Sequence, residues 1–289
     1  MTHEIDEVPV PKPPGDESAE ACRLHEQALL CLDQGRYDEA ESLLLRALAI
    51  SEECLGPDHL DVASILNGLG VLHKYQGRYG EAEPLYRRAL DILDAALGHD
   101  HLEAAGLYHN LGGLEHARGR AAEGEEPARW GLKIRERALG SDHPDVAADK
   151  AALAAILDAQ GRFAEAEELY RQALAVFERV YGPEHYEIAV NLNNLAAIHQ
   201  ARGESAEAEG LYLRTLDIKE KVLGPDHPDL AMTLHNLATL LAGLGRSGEA
   251  TALYRQALDI FERTLGPDHP HSLVCRECYE QVVTPSGRS

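Results

Sequence analysis

Positive charge is scarce in this sequence: 27 lysines and arginines stand against 49 aspartates and glutamates, a net charge of −22. A nucleic-acid binder needs cations to replace counterions on phosphate, so the deficit argues against DNA and RNA as partners. It argues equally against anionic membrane surfaces. Long apolar runs are missing as well. None approaches the roughly 20 residues of a membrane span, and the opening MTHEIDEVPVPKPPGDES holds no apolar signal core. A cytoplasmic chain is the expectation. Aromatic residues make up only 5%, while alanine and leucine dominate, which favours helices packed through small residues over a β-sandwich. No segment alternates apolar and polar residues for long enough to make a strand. The five cysteines are an odd number and outline no disulfide framework. Cys275-Arg-Glu-Cys278 is a lone CxxC, with no second pair to complete a four-cysteine zinc site, so buried or idle thiols are expected there.

What the chain has is repetition. LGPDHLDVA at Leu55 returns as LGHDHLEAA, LGSDHPDVA, YGPEHYEIA, LGPDHPDLA and LGPDHPHSL, carrying His59, His101, His143, His185, His227 and His269 at a constant spacing of 42. A second mark, QGRY at Gln34 and its variants, places Gly35, Gly77, Gly119, Gly161, Gly203 and Gly245 at the same period. Two turn signals therefore alternate and cut each repeat into two segments. Strict spacing of this kind means one structural unit stacked on itself.

Each segment reads as an amphipathic helix. In 185–202, Ile188, Leu192, Leu195 and His199 recur at three- and four-residue steps. In 205–222, Ala208, Leu211, Tyr212, Thr215 and Ile218 do the same. Glycine ends each helix because it takes the left-handed conformation at least cost. In LGPDHPD, Asp226 or His227 is expected to cap the next helix, with Asp229 completing a capping box. The repeated histidine is thus read as turn-and-cap structure. Packed helices lie about 10 Å apart, so neighbouring copies are too distant to share a zinc ion that needs ligand nitrogens near 2 Å.

The small-residue code narrows the solenoid type. Leu66-x-x-Leu69-Gly70-x-x-His73 precedes Ala82-x-x-x-Tyr86-x-x-Ala89, and Leu192-x-x-Leu195-Ala196-x-x-His199 precedes Ala208-x-x-x-Tyr212-x-x-Thr215. This resembles the tetratricopeptide signature. LNNLA at 192–196, GRYGEAEPLYRRALDI at 77–92 and the LGPDHPD motifs are similar to the kinesin light chain variant, whose repeat is longer than the usual 34 residues. The resemblance implies an all-α, right-handed α-α superhelix of six helix-turn-helix repeats with a C-terminal capping helix. The expected layout is a proline-rich acidic disordered tail over 1–17, then six repeats. These occupy 18–58, 59–100, 101–142, 143–184, 185–226 and 227–268. A capping helix over 269–282 and a flexible tail over 283–289 follow. A coiled coil like that of kinesin light chains has no room in 1–17, so a free-standing module is expected rather than a motor subunit. Pro11-x-x-Pro14 is read as part of a solvated tail.

The resemblance further implies a concave groove, lined by the first helix of each repeat, that binds a peptide or partner helix. One column of that face reads His25, Asn67, His109, Ala151, Asn193, His235; the next includes Gly68, Asn110, Asn194 and Asn236; Lys74, His116, Asp158 and Gln200 lie further along. By the resemblance, Asn67 and Asn193 hold peptide backbone, which suits an amide offering both donor and acceptor. Asn236 stands one position later in its motif. The candidate groove residues are Asn67, Lys74, His109, Asn110, Asn193, Gln200, His235 and Asn236. No catalytic residue, metal site or cofactor is expected, and homo-oligomerisation is not indicated. The competing class is an enzyme or metal-dependent sensor built on His109, His116 and His235. No activated nucleophile, phosphate-binding loop or paired metal motif supports it.

Repeat three departs most from its neighbours. Gly124 and Gly131 replace alanines, Ala128 replaces a tyrosine, and Trp130 is the sole tryptophan. Helical glycine costs roughly 1 kcal/mol against alanine, so a loosely packed joint with Trp130 partly buried is the expectation; the competing reading makes Trp130 an exposed anchor, since tryptophan is enriched at interface hot spots. Repeat four puts Lys150 where leucine usually stands.

Overall fold

A computed structural model describes residues 16–284. Of the tail read over 1–17, residues 1–15, with Pro11 and Pro14, lie outside the described residues, as do residues 285–289 of the tail read over 283–289; Asp16 and Glu17 instead open a helix and Val283 closes one. The described residues form thirteen α-helices and no strand. They are α1 (Asp16–Asp33), α2 (Tyr37–Leu55), α3 (Leu60–Tyr75), α4 (Tyr79–Leu97), α5 (Leu102–Ala117), α6 (Ala121–Leu139) and α7 (Pro144–Ala159). α8 (Phe163–Tyr181), α9 (Tyr186–Ala201), α10 (Ser205–Leu223), α11 (Pro228–Gly243), α12 (Ser247–Thr264) and α13 (Pro270–Val283) follow. The chain divides into two compact units, one ending at Ile134 within α6 and one beginning at Arg135. In each, helices adjacent in sequence pack on one another.

The punctuation follows from backbone chemistry. Twelve glycines, from Gly35 to Gly266, have positive φ and recur every 21 residues. Gly77, at φ 73°, ends α3 in a double hydrogen bond: its N–H donates to the Lys74 carbonyl and the Arg78 N–H donates to that of His73. Gly56, at φ 94° and ψ 158°, ends α2 in a conformation reserved for glycine.

The repeated histidine is the N-cap itself. The Nδ1 atoms of His59, His101, His143, His185, His227 and His269 each accept a hydrogen bond from the backbone N–H two residues on, at 3.1–3.4 Å. The alternative of an aspartate cap is thereby corrected: Asp226 instead pairs with Arg263 at 2.7 Å. An accepting Nδ1 carries no proton, so each ring is the Nε2–H tautomer.

Small residues set the helix-pair distance. A Cβ on Gly70 would run into the Tyr86 ring, and Ala82 beneath it is fully buried. Tyr86, Tyr170, Tyr212 and Tyr254 fill equivalent places and are almost fully buried. Repeat three solves the same contact differently. A Cβ on Gly124 would lie 2.7 Å from the Gly112 carbonyl oxygen, and one on Gly131 would lie 2.9 Å from that of Ala105. The loose packing expected between α5 and α6 is therefore not what forms, although the two compact units divide within α6 of this repeat, and Trp130 is partly buried as expected. These glycines let α5 and α6 approach backbone to backbone, closing the space a tyrosine fills elsewhere. In the second unit, Lys150 is accommodated by an ion pair to Glu136 at 3.3 Å, beside Arg135 and Asp149 at 2.5 Å. At the C-terminal end, α13 lays Cys275, Cys278 and Tyr279 against the core of α12.

Two stability changes follow. His227→Ala removes a cap worth about 1 kcal/mol and lowers the melting temperature, whereas His227→Asn, which keeps an accepting side chain, restores most of it. Gly124→Ala ordinarily gains about 1 kcal/mol in a helix interior. Here the added Cβ meets backbone, and the melting temperature falls. A rise in that variant would show that α5 and α6 are not in close contact in solution.

Candidate functional site

The odd-numbered helices from α3 to α11 begin at a histidine cap and end at a glycine turn, so residues 42 apart occupy equivalent places on their helices. The candidate groove side chains are all half-buried. In the first unit, Asn110 Nδ2 donates to Asn67 Oδ1 at 2.8 Å, joining α5 to α3. The pairing leaves the Asn67 amide N–H groups and the Asn110 carbonyl oxygen with no partner among the described residues. His25 lies beside this pair, its Nε2 3.6 Å from where a Gly68 Cβ would be. Lys74 extends over α5, its Nζ 2.8 Å from the position of a Cβ on Gly113. No ion pair to Lys74 is present among the described residues, and burial lowers the affinity of its ammonium for a proton below the ordinary lysine value. His109 and His116 occupy the same face.

The second unit repeats the motif. Asn236 Nδ2 donates to Asn193 Oδ1 at 3.4 Å, and the Thr233 hydroxyl reaches the same oxygen at 3.4 Å. Again one amide donor group, on Asn193, and one acceptor, on Asn236, are left over. Gln200 is engaged differently: its Oε1 accepts from the buried Tyr212 hydroxyl at 3.1 Å. It serves the core as much as the face. His235 packs edge-on to Tyr254, with ring centroids 5.4 Å apart, and its buried Nδ1 has no hydrogen-bond partner.

Both outer histidines are held neutral. Burial lowers the pKa of His235, aided by the nearby His271. Burial also lowers that of His25, against the opposing pull of Asp61 and Glu26. Among the described residues, no three of histidine, cysteine, aspartate and glutamate come together as a metal would require. Burial pushes the Cys275 thiol up to about 12 and raises Cys278, so neither thiol is poised to ionise. No described helix is long and apolar enough to cross a membrane.

Two features of the face went unread in the sequence. One is the pairing of Asn67 with Asn110 and of Asn193 with Asn236, across neighbouring repeats. The signal is a constant offset of 43 between the two asparagine columns. The other is the role of Gln200 and Thr239, whose hydroxyl lies 2.9 Å from that of Tyr254.

This fold of stacked helix pairs is a tetratricopeptide solenoid. The tetratricopeptide repeat model matches in five overlapping stretches, 20–95, 63–137, 103–179, 147–221 and 187–263, and the chain belongs to that family. Its repeat type is similar to that of kinesin light chains. The crystal structure of BtubC (BKLC) from P. vanneervenii is 24% identical and covers 88% of this chain and 92% of its own, with a TM-score of 0.61. A putative kinesin light chain of nearly identical repeats from Podosopora anserina is 27% identical over 71% of this chain and 98% of its own, with a TM-score of 0.59. A Rap protein complexed with Competence and Sporulation Factor shares the fold at 13% identity, with a TM-score of 0.64 over 91% of this chain and 74% of its own. No curated protein matches the chain in sequence.

The neutral histidines give a pH signature. His25 and His235 have folded pKa values below the ordinary 6.5, so the unfolded chain takes up protons first. Stability from this source is full above about pH 7 and declines as pH falls through about 6.5. The depressed carboxylates, Glu41, Glu83 and Glu249 among them, act only below their ordinary 4.5. Urea titrations of a His25→Gln/His235→Gln variant are therefore expected to show a shallower loss between about pH 7 and 5.5 than the parent. Parallel curves in that window would remove the assignment.

Proposed function

We propose that the chain is a non-catalytic interaction module that holds an extended segment of a protein partner along the face of its odd-numbered helices. The observation that carries this reading is the paired-amide station present in each unit. Asn67 with Asn110, and Asn193 with Asn236, each satisfy one another halfway and leave one donor group and one acceptor. A peptide bond offers the complementary acceptor and donor. Amides suit backbone recognition that is independent of side-chain identity. The fold supports the reading, since tetratricopeptide solenoids commonly serve as protein-interaction scaffolds, and the Rap protein of this fold was crystallised with Competence and Sporulation Factor bound. Lys74 and the histidines beside the first station supply side-chain selectivity in this scheme.

The test uses a peptide selected from a displayed random library against the full chain. Calorimetry then compares the parent with Asn67→Ala, Asn193→Ala and the double variant. Each lost amide forfeits about 0.5–1.5 kcal/mol, about two- to tenfold in affinity. The two losses add, since the stations share no contact. Circular dichroism should be unchanged, because the amides are not core residues. Undiminished affinity in the folded double variant would move the binding surface elsewhere and end the clamp proposal.

A further inference from the structure

The register that aligns the repeats also shows a carboxylate that lacks the arginine found at the equivalent step of repeats two and five; repeats four and six carry Gln172 and Gln256 at that step. In repeat two, Arg88 of α4 donates to Glu52, 36 residues earlier, at 2.7 Å, and to the Pro57 carbonyl at 3.1 Å. In repeat five, Arg214 of α10 donates to Glu178, also 36 residues earlier, at 2.5 Å. The equivalent position in repeat three is Trp130, and the residue 36 before it is Asp94. Asp94 thus occupies the place of an arginine-binding carboxylate with no arginine. Its Oδ2 meets the largely exposed ring of His99 at 2.5 Å, while its Oδ1 is buried with no hydrogen-bond partner.

A cavity of about 750 Å³ opens at this point, walled by α4, α5 and α6 within the first unit. Trp130 and Tyr108 supply aromatic surface; Asp91, Asp94 and Glu126 supply carboxylates. No ion pair to Asp91 or Glu126 is present among the described residues. The two arginines of the wall are already committed, Arg87 to Glu83 at 2.9 Å and Arg120 to Glu115 at 2.5 Å. Lys133, 4.6 Å from the Trp130 ring centroid, shows that this indole takes a cation on its face, yet Lys133 is not part of the cavity wall.

We propose that this cavity binds a guanidinium group supplied by a ligand, which stacks on Trp130 and donates to Asp94 in the manner of Arg88 in repeat two and Arg214 in repeat five. A guanidinium fits better than an ammonium: it is planar, stacks on an indole and donates in a fork to a carboxylate. The source is either a free guanidino compound or an arginine side chain of a protein partner. The site is distinct from the paired-amide stations and does not depend on them.

The full chain is titrated with arginine amide and with citrulline amide, its neutral isostere. Calorimetry and the fluorescence of Trp130, the sole tryptophan, report binding. Arginine amide is expected to saturate, and citrulline amide to bind about tenfold more weakly or not at all. Asp94→Asn should weaken arginine amide about tenfold with circular dichroism unchanged. Trp130→Arg, which supplies the arginine found at this step of repeats two and five, should abolish the calorimetric signal and raise the melting temperature by pairing Asp94. An acetylated Gly-Arg-Gly amide separates the sources. Tighter binding than arginine amide assigns the site to a protein partner, and equal or weaker binding assigns it to a free guanidino compound. Equal binding of the arginine and citrulline ligands, no saturation by either arginine ligand, or undiminished binding in folded Asp94→Asn would overturn the proposal. Loss of binding in the Asn67/Asn193 variant described above would not bear on it.

Discussion

Constant repeat length is the constraint on which the rest depends. Glycines with positive φ stop the chain every 21 residues, and histidine caps restart it at every second stop. Because no repeat gains or loses a residue, equivalent side chains recur every 42 residues. Cross-repeat contacts therefore recur at fixed offsets. Arg78 meets Glu41 and Arg246 meets Glu209, each 37 residues apart and at 2.7–2.8 Å. Arg118 and Arg202 reach back 35 residues, to Glu83 and Glu167. Such exposed or half-exposed pairs contribute little to stability individually, about 0–1 kcal/mol. Their value to the fold is in fixing which residue faces which.

The second requirement is a close helix pair, and the chain meets it in two ways. Most repeats set a small residue on the first helix against a tyrosine on the second, as Gly70 does against Tyr86. Two of these tyrosine hydroxyls find partners on the first helix, Tyr212 at Gln200 and Tyr254 at Thr239, whereas that of Tyr86 is buried without one. Repeat three discards the tyrosine and brings backbones together through Gly112, Gly124 and Gly131. That choice releases a neighbouring position from its structural duty. Trp130 stands where an arginine elsewhere ties two repeats, and the tie is missing.

Helix pairing, repeat length and the turn residues were legible because each is encoded locally. A glycine at a fixed interval, a three- and four-residue apolar stripe and a small residue twelve before another small residue need no tertiary information. The cap was only half legible, since aspartate and histidine both accept hydrogen bonds and only the backbone geometry at His227 decides between them. Repeat three was misread for a physical reason. Helix propensity treats Gly124 as a loss, whereas its meaning depends on the Gly112 carbonyl it faces across the pair. The groove residues were legible as a face but not as a network, because the Asn67–Asn110 bond joins two different columns. The offset that pairs them comes from the stacking of repeats rather than from either helix alone.

Charge acts on a longer scale than these contacts. A net charge of −22 draws cationic segments towards the chain and repels acidic ones. That field is screened beyond about 8 Å at physiological ionic strength, so it governs the rate of encounter rather than the choice of register. Local geometry has to supply selectivity, and the repeat pattern shows where it can. Most arginines of the even-numbered helices already face a carboxylate of the preceding repeat, as Arg88, Arg214 and Arg263 do. Those carboxylates are satisfied and offer a ligand little. Asp94 lacks the guanidinium that its counterparts in repeats two and five hold, while lying beside aromatic surface, and no ion pair to Lys74 is present among the described residues. A partner gains most where it matches charges such as these.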